Sequence, residues 1–108
     1  MARVEAMGRS QAMIEFDLDG TILDANDLFL KTMGYALPEI RGRHHSMFVE
    51  PSERDSSAYR AFWEHLRRGE PRAEVFRRVA KDGREVWLQA SYNPVLDRHG
   101  KPVRIVKL

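Results

Sequence analysis

Residues 81–108 read KDGREVWLQASYNPVLDRHGKPVRIVKL, and this stretch decides the fold. Apolar and polar residues alternate with a period of two over 84–96 and again over 102–108, which is typical of half-buried strands. An Asp-Gly pair and an Asp-Arg-His-Gly segment stand where the alternation stops, and such residues favour tight turns. Because residues 73–80 show the same alternation, this part of the chain is predicted to form a three-stranded antiparallel meander.

Two further strands are predicted near the start of the chain. Residues 12–17 are rich in apolar side chains and alternate, and residues 21–23 form a second short run. Asp19-Gly20 between them is a strong signal for a two-residue hairpin turn. The stretch therefore predicts a strand, a tight turn and a strand.

Helices are predicted between the two groups of strands. Asn26 is a good N-cap and Gly34 a good C-terminal stop for the first helix. Ser52 and Asp55 form a plausible capping pair before a longer helix. That helix has one apolar stripe at helical spacing, formed by Tyr59, Phe62, Trp63 and Leu66.

The order of elements predicts an α+β fold with a five-stranded antiparallel sheet and helices packed on one face. The length of 108 residues suffices for one domain with a modest core. We expect residues 12–108 to form that domain. Residues 1–11 are short and polar, and we expect them to be a linker or a cap helix.

Composition excludes several classes of protein. The net charge is +2 with both signs interleaved, which gives no reason to expect nucleic-acid binding. No apolar run approaches ~18 residues, so direct membrane insertion is not expected. The chain has no cysteine, which fits a reducing, cytoplasmic compartment.

The string Asp17-Leu18-Asp19-Gly20-Thr21 resembles the first motif of the haloacid-dehalogenase phosphatases. In that family the two aspartates act beside Mg²⁺ on a parallel sheet. Here the predicted strands are antiparallel, and the sequence contains no adjacent Asp-Asp and no GDxxxD-like motif. The phosphatase is therefore a remote alternative. We expect no catalytic residue and no metal site, with Asp17 on the solvent side of a strand.

Several spaced motifs, in order from about Gln11 to Leu108, resemble a PAS domain. DLDGTILDANDLFLKTMGYALPEIRGR is similar to the family's opening hairpin, Asn-bearing helix and following turn. Residues 81–108 resemble its C-terminal strands, with Trp87 and Pro94. GRHHSMFVEPSE, YRAFWEHLRRGEP and GREVWLQASYNPVLD resemble the PAS domains of bacterial methyl-accepting chemotaxis receptors, relatives of aerotaxis and biofilm-dispersion sensors.

The resemblance implies a non-catalytic sensor and signal-transduction module. Such a module passes a ligand or redox change through its sheet to a C-terminal signalling module, and it often forms a homodimer. Trp87 and Gln89 lie on the polar face of the long strand. An apolar residue on such a face marks a contact, and we expect a dimer or cap-helix interface there, together with Met7.

The resemblance also places a ligand pocket between the helices and the inner sheet face. By the family pattern the residue after Trp87 faces inward, so Leu88, Ala90 and Tyr92 line that face. The full predicted set comprises Phe29, Met33, Met47, Phe48, Phe62, Phe76, Arg78, Leu88, Ala90 and Tyr92. The alternative for most of them is a solid core.

Arg78 is the most informative residue of this set. If it points inward it needs an anion, either a carboxylate ligand or a protein partner such as Glu74, because an unpaired buried charge costs too much free energy.

The cofactor stays open. Flavin-binding aerotaxis PAS domains usually have a Trp and an Asn where this chain has Arg72 and Arg78. Haem needs an axial ligand, and His44, His45 and His65 are the candidates. For His44 and His45 a solvated loop is the plainer expectation. Neither haem b nor FAD is favoured over no cofactor.

Overall fold

A computed structural model describes residues 11–108 of the chain. Its sheet has five antiparallel strands in the order β2-β1-β5-β4-β3, so the first and last strands of the chain are neighbours in the middle. The strands are β1 Ile14–Phe16, β2 Ile22–Ala25, β3 Arg72–Val79, β4 Glu85–Leu96 and β5 Pro102–Lys107. The predicted α+β fold with helices on one sheet face is confirmed.

The helical layer lies between β2 and β3 in the chain. Its helices are α1 Asp27–Met33, α2 Leu37–Ile40, α3 Pro51–Arg54 and α4 Ser57–Arg67, with a 3₁₀ helix over His45–Phe48. The apolar stripe of α4 supplies Trp63 and Leu66 to the core, where they pack with Ile14, Phe16 and Ile105 of the sheet.

The three hairpins share one turn geometry. In the first, the Gly20 N–H donates to the Asp17 carbonyl at 3.1 Å and the Asp17 N–H donates to the Thr21 carbonyl at 2.9 Å. Gly20 has a φ of 89°, and Gly83 and Gly100 have φ values of 86° and 80° at the same place in their turns. Glycine is favoured there because φ is positive. The first hairpin therefore has a three-residue loop, so the predicted two-residue turn is wrong.

Asp17 lies in this turn, so the predicted position on the solvent side of a strand is wrong. Its Oδ1 accepts hydrogen bonds from the backbone N–H groups of Asp19 and Thr21, both at 2.9 Å. A carboxylate that satisfies two turn N–H groups stabilises the turn. Residues 11–108 contain no group of three or more His, Cys, Asp or Glu side chains placed to hold a metal ion.

Asn26 joins the first helix to the sheet, and the predicted N-cap is confirmed. Its Oδ1 accepts from the N–H of Phe29 and from the N–H of Met13, both at 3.0 Å. Its Nδ2 donates to the Gln11 carbonyl at 2.7 Å. One buried amide thus fixes the start of α1 against the segment that leads into β1.

The predicted capping pair of the long helix is wrong. Ser52 lies inside the short helix α3, and Asp55 ends it. Pro51 suits the first turn of α3 because a first-turn N–H has no intrahelical partner. The N-cap of α4 is Ser56, whose Oγ accepts from the Tyr59 N–H at 3.1 Å.

The expected linker or cap helix over 1–11 lies almost wholly outside the described residues. The boundary at residue 12 therefore stays a prediction.

We expect Asp17→Ala to lower the free energy of unfolding by about 1–2 kcal/mol, because two backbone N–H groups lose a charged acceptor. Asp17→Asn keeps an acceptor oxygen and should cost less. Urea unfolding followed by circular dichroism measures both. The control is Asp19→Ala, which removes an exposed side chain and should change stability by less than about 0.5 kcal/mol. Equal losses at the two positions would contradict this role for Asp17.

A buried polar cluster as candidate functional site

Aromatic rings around Tyr92 fill the space between the helical layer and the inner sheet face. Tyr92 is fully buried on β4. Phe62 of α4 contacts its ring edge-on at a centroid distance of 4.8 Å, and Phe76 of β3 does so at 5.0 Å. These geometries are favourable for aromatic pairs. The ring of Tyr92 is therefore held on both sides, which fixes the position of its hydroxyl.

The Tyr92 hydroxyl belongs to a hydrogen-bonded chain. It lies 2.8 Å from Nε2 of His45, and Nδ1 of His45 lies 2.8 Å from the hydroxyl of Tyr59. Arg78 Nη2 donates to the Tyr92 oxygen at 3.1 Å. Since Arg78 can only donate, we assign His45 Nε2 as the acceptor of the Tyr92 O–H. The imidazole then carries its proton on Nδ1, which donates to the Tyr59 oxygen.

Arg78 is buried on the inner face, with 5% of its surface exposed. Its Nη1 donates to the Arg77 carbonyl at 2.8 Å, and its guanidinium carbon lies 4.9 Å from the centroid of the Phe76 ring. Its Nε is buried and has no hydrogen-bond partner among the described residues. Glu74, the partner that the sequence offered, is exposed and pairs with Arg72 at 3.4 Å. Of the two alternatives that the sequence left open for Arg78, the pairing with Glu74 is therefore wrong.

Lys107 is a second buried cation, also with 5% exposure. It lies on β5 opposite Tyr92 in the strand register, and its Nζ lies 5.0 Å from the centroid of the Tyr92 ring. An ammonium over an aromatic face is attracted by the ring quadrupole. His45, Tyr59, Arg78, Tyr92 and Lys107 together are called the Tyr92 cluster below.

The electrostatics of the Tyr92 cluster are dominated by burial. Burial, reinforced by Arg78 and Lys107, holds the pKa of His45 well below its usual value, so its imidazole is neutral. Burial also lowers the pKa of Lys107, with Arg78 adding to the effect. Burial raises the pKa of Tyr59 to about 12. The cluster thus keeps Tyr59 protonated and His45 neutral beside two basic side chains.

Most of the predicted pocket residues meet in one apolar cluster. Arg78 packs on Phe76 at its edge. The buried members of the predicted set are Phe29, Met33, Phe48, Phe76 and Tyr92, and the partly buried members are Met47, Phe62, Leu88 and Ala90. Beside Lys107 a cavity of 120 Å³ is lined in part by Phe29, Leu88 and Ala90. Whether these residues hold a ligand stays a prediction.

The candidate haem ligands lie in three different environments. The solvated loop expected for His45 is wrong, because this residue is buried. His44 is exposed, and its Nδ1 accepts from the Ser46 N–H at 3.0 Å. The Nδ1 atom of His65 contacts the carboxylate of Glu70 near the end of α4.

A flat cofactor meets specific obstacles in this interior. A planar haem or flavin ring placed between α4 and β4 has to separate the rings of Phe62 and Tyr92, which are in edge-on contact. An iron bound by His45 has to break one of the two hydrogen bonds of its imidazole. The cavity beside Lys107 is also below the ~300 Å³ that sites for larger ligands reach.

The predicted interface residues lie on the opposite face of the sheet. Trp87 is 63% exposed and Val75, on the neighbouring strand, is 61% exposed. Gln89 pairs with Val75 in the register of β3 and β4 and is exposed too. Met7 lies outside the described residues. The role of this face as an interface stays a prediction.

Sequence reasoning missed Lys107 and the hydroxyl of Tyr59. The signal for Lys107 was its parity with Ile105, a buried residue of β5. A lysine at an inner-face position of a central strand was therefore visible in the alternation. Tyr59 was recognised as a stripe residue, but nothing in the sequence indicated that His45 would reach its hydroxyl.

The strand order and the helical layer on one face are those of the PAS fold. The family model of the PAS fold matches residues 22–108, and the chain belongs to this family. The resemblance predicted from the sequence is thereby confirmed.

Its relatives include two bacterial proteins. The biofilm dispersion protein BdlA of Pseudomonas aeruginosa is 51% identical over 106 residues, which cover 98% of this chain and 25% of that protein. The aerotaxis receptor of Escherichia coli is 34% identical over 85 residues, covering 79% and 16%. The chain thus spans a quarter or less of the length of these relatives. The predicted kinship with aerotaxis and biofilm-dispersion proteins is confirmed.

Solved structures agree with this assignment. A light-oxygen-voltage domain studied with a flavin analogue superposes with a TM-score of 0.78 and 29% identity, covering 94% of this chain and 76% of that one. Within residues 11–108 no helix has the length and apolar character needed to cross a membrane.

We expect the free energy of unfolding to fall as the pH decreases from 7 to 5, partly because of His45. Below its ordinary pKa of ~6.5 the unfolded chain binds a proton at this residue. The folded chain does not, since burial lowers the pKa of His45. The contribution is up to about 1.4 kcal/mol per pH unit.

Urea unfolding at several pH values tests this expectation. His45→Gln should flatten the slope between pH 7 and 5, whereas His99→Gln, at an exposed hairpin position, should leave it unchanged. The same slope in the wild type and His45→Gln would contradict a neutral, buried His45.

Proposed function

We propose that the chain is a non-catalytic, cytoplasmic sensor module of a chemotaxis-type receptor. It senses a ligand or redox change in its interior and relays it through the sheet to a C-terminal signalling module. The kinship with BdlA and the aerotaxis receptor supports this role.

One structural observation carries the relay. The bond between His45 and Tyr92 joins the helical layer to β4, and Tyr92 is paired with Lys107 on β5. A ligand that changes these contacts acts on two sheet strands at once. His45 has both nitrogens engaged by tyrosine hydroxyls deep in the interior, which suits a structural link better than turnover of a substrate.

A chimaera tests the proposed function. Residues 12–108 replace the matched segment of BdlA in a Pseudomonas aeruginosa strain that lacks its own copy, and biofilm dispersion is measured. We expect the chimaera to restore dispersion. Tyr92→Phe, which removes the central hydroxyl, should weaken the response, whereas Tyr35→Phe, outside the Tyr92 cluster, should not.

The protein level and the thermal unfolding of each chimaera are measured alongside dispersion. A stable chimaera that leaves dispersion unrestored would overturn the proposed function.

We also propose a homodimer formed through the outer sheet face. Trp87 and Val75 give this face an exposed apolar centre, and the indole Nε1 of Trp87 donates to Glu85 at 3.0 Å, which keeps the ring along the strand. An aromatic side chain held in place in this way loses little entropy when a partner covers it.

We expect Trp87→Ser to shift the chain from dimer to monomer in analytical ultracentrifugation, with at least a tenfold increase in the dimer dissociation constant. Leu96→Ser is the matched control, because Leu96 is also an exposed apolar residue of β4, near its other end. A monomeric wild type, or an equal effect of both substitutions, would contradict this interface.

A further inference from the structure

We propose that Arg78 and Lys107 bind the carboxylate of a small organic acid. The inference rests on the proposed sensor function and specifies the chemical class of the ligand. It starts from two basic side chains, each nine-tenths buried or more, that lie on adjoining parts of the inner sheet face around one tyrosine ring.

Buried cations require compensation. Taking an ammonium or a guanidinium out of water costs several kcal/mol unless an anion or a full set of acceptors replaces the water. Arg78 has one backbone carbonyl and one tyrosine hydroxyl as acceptors. Lys107 lies on the ring of that tyrosine and is also hydrogen-bonded to its side chain. Neutral acceptors and aromatic faces compensate for part of this cost, and the net positive charge of the pair remains.

Carboxylates near the Tyr92 cluster are engaged elsewhere. Glu74 lies on the same strand as Arg78 but is exposed and pairs with Arg72. The buried Glu15 pairs with Arg104 at 2.5 Å, and its neighbours along β1, Ile14 and Phe16, point to the helical side. Of the salt bridges formed by the described residues, none includes Arg78 or Lys107.

The free donors match a carboxylate. The guanidinium of Arg78 has an unpartnered Nε beside the Nη2 that donates to Tyr92, and Nε with a neighbouring nitrogen forms the edge that binds a carboxylate with two parallel bonds. The ammonium of Lys107 adds a second point of charge. His45 is neutral and cannot serve as a further cation.

The walls of the site favour an organic acid over an inorganic anion. Beside Lys107 the cavity of 120 Å³ is bordered by the apolar side chains of Phe29, Leu88 and Ala90 and also by Gln11 and Gln89, and Arg78 does not line it. The apolar side chains suit the carbon chain of an acid with few heavy atoms, since about four water molecules would fill such a volume.

Isothermal titration calorimetry and thermal unfolding of the 108-residue chain test the proposal. The probes are sodium acetate, propionate, butyrate and succinate, compared at equal ionic strength with sodium chloride, sulfate and phosphate. At least one carboxylate should bind and raise the midpoint of unfolding above that in chloride, because a ligand of the folded state stabilises it.

Substitutions locate the site. Arg78→Gln and Lys107→Met should each weaken carboxylate binding at least tenfold, whereas Arg72→Gln, on the same strand but paired with Glu74, should bind as the wild type does. Lys107→Met keeps an unbranched chain and removes a buried charge, so it should unfold at a higher temperature than the ligand-free wild type. Loss of binding in that variant therefore cannot come from unfolding.

Three results would overturn the proposal. They are the absence of any carboxylate effect beyond chloride, equal binding of phosphate or sulfate, and wild-type binding by Lys107→Met. Restored dispersion in the chimaera, combined with any of these results, would reject the ligand class and leave the sensor function standing.

Discussion

The burial of two cations on the inner sheet face is the constraint on which the interior depends. Tyr92 contacts both cations: its oxygen accepts a hydrogen bond from Arg78, and its ring faces Lys107. Its hydroxyl also donates a hydrogen bond to His45. The Tyr92 hydroxyl has one proton, and Arg78 cannot accept it. Tyr92 therefore determines which atom donates in its own bond with His45 and in the bond between His45 and Tyr59. The positions of the interior side chains are therefore fixed by hydrogen bonds and charge as well as by apolar packing.

The opening hairpin determines where His45 can lie. The His45 N–H donates to the Gly20 carbonyl at 2.8 Å, which seats the 3₁₀ helix on the turn. A Cβ at Gly20 would come within 2.8 Å of the His44 imidazole and 3.1 Å of Trp63, so this position needs glycine for space as well as for its positive φ. Residues 17–21, which resemble a phosphatase motif, thus help to position the buried His45.

The sequence predicts the sheet well because alternation and turn residues act locally. β3, β4 and β5, the Asn26 cap and the stripe of α4 all follow from such signals. The burial of His45 does not follow from them, because its residue type argues for exposure while tertiary contacts bury it. The alternation of β5 does place Lys107 on the inner face, but its residue type argues against burial there. The sequence pattern did not predict the Ser56 cap because it treated α3 and α4 as one helix. In the structure α3 is a separate short helix that begins at Pro51.

The alternation of β4 links the two faces of the molecule. Leu88, Ala90 and Tyr92 point to the interior, whereas Trp87 and Gln89, which lie between and beside them in the chain, point outward. Since successive side chains of a strand are fixed to one backbone, a displacement of β4 that adjusts Tyr92 to a change of charge also moves Trp87. Packed layers respond to such changes by discrete shifts of whole elements. A charge bound beneath the sheet can therefore alter the surface above it without a separate moving part.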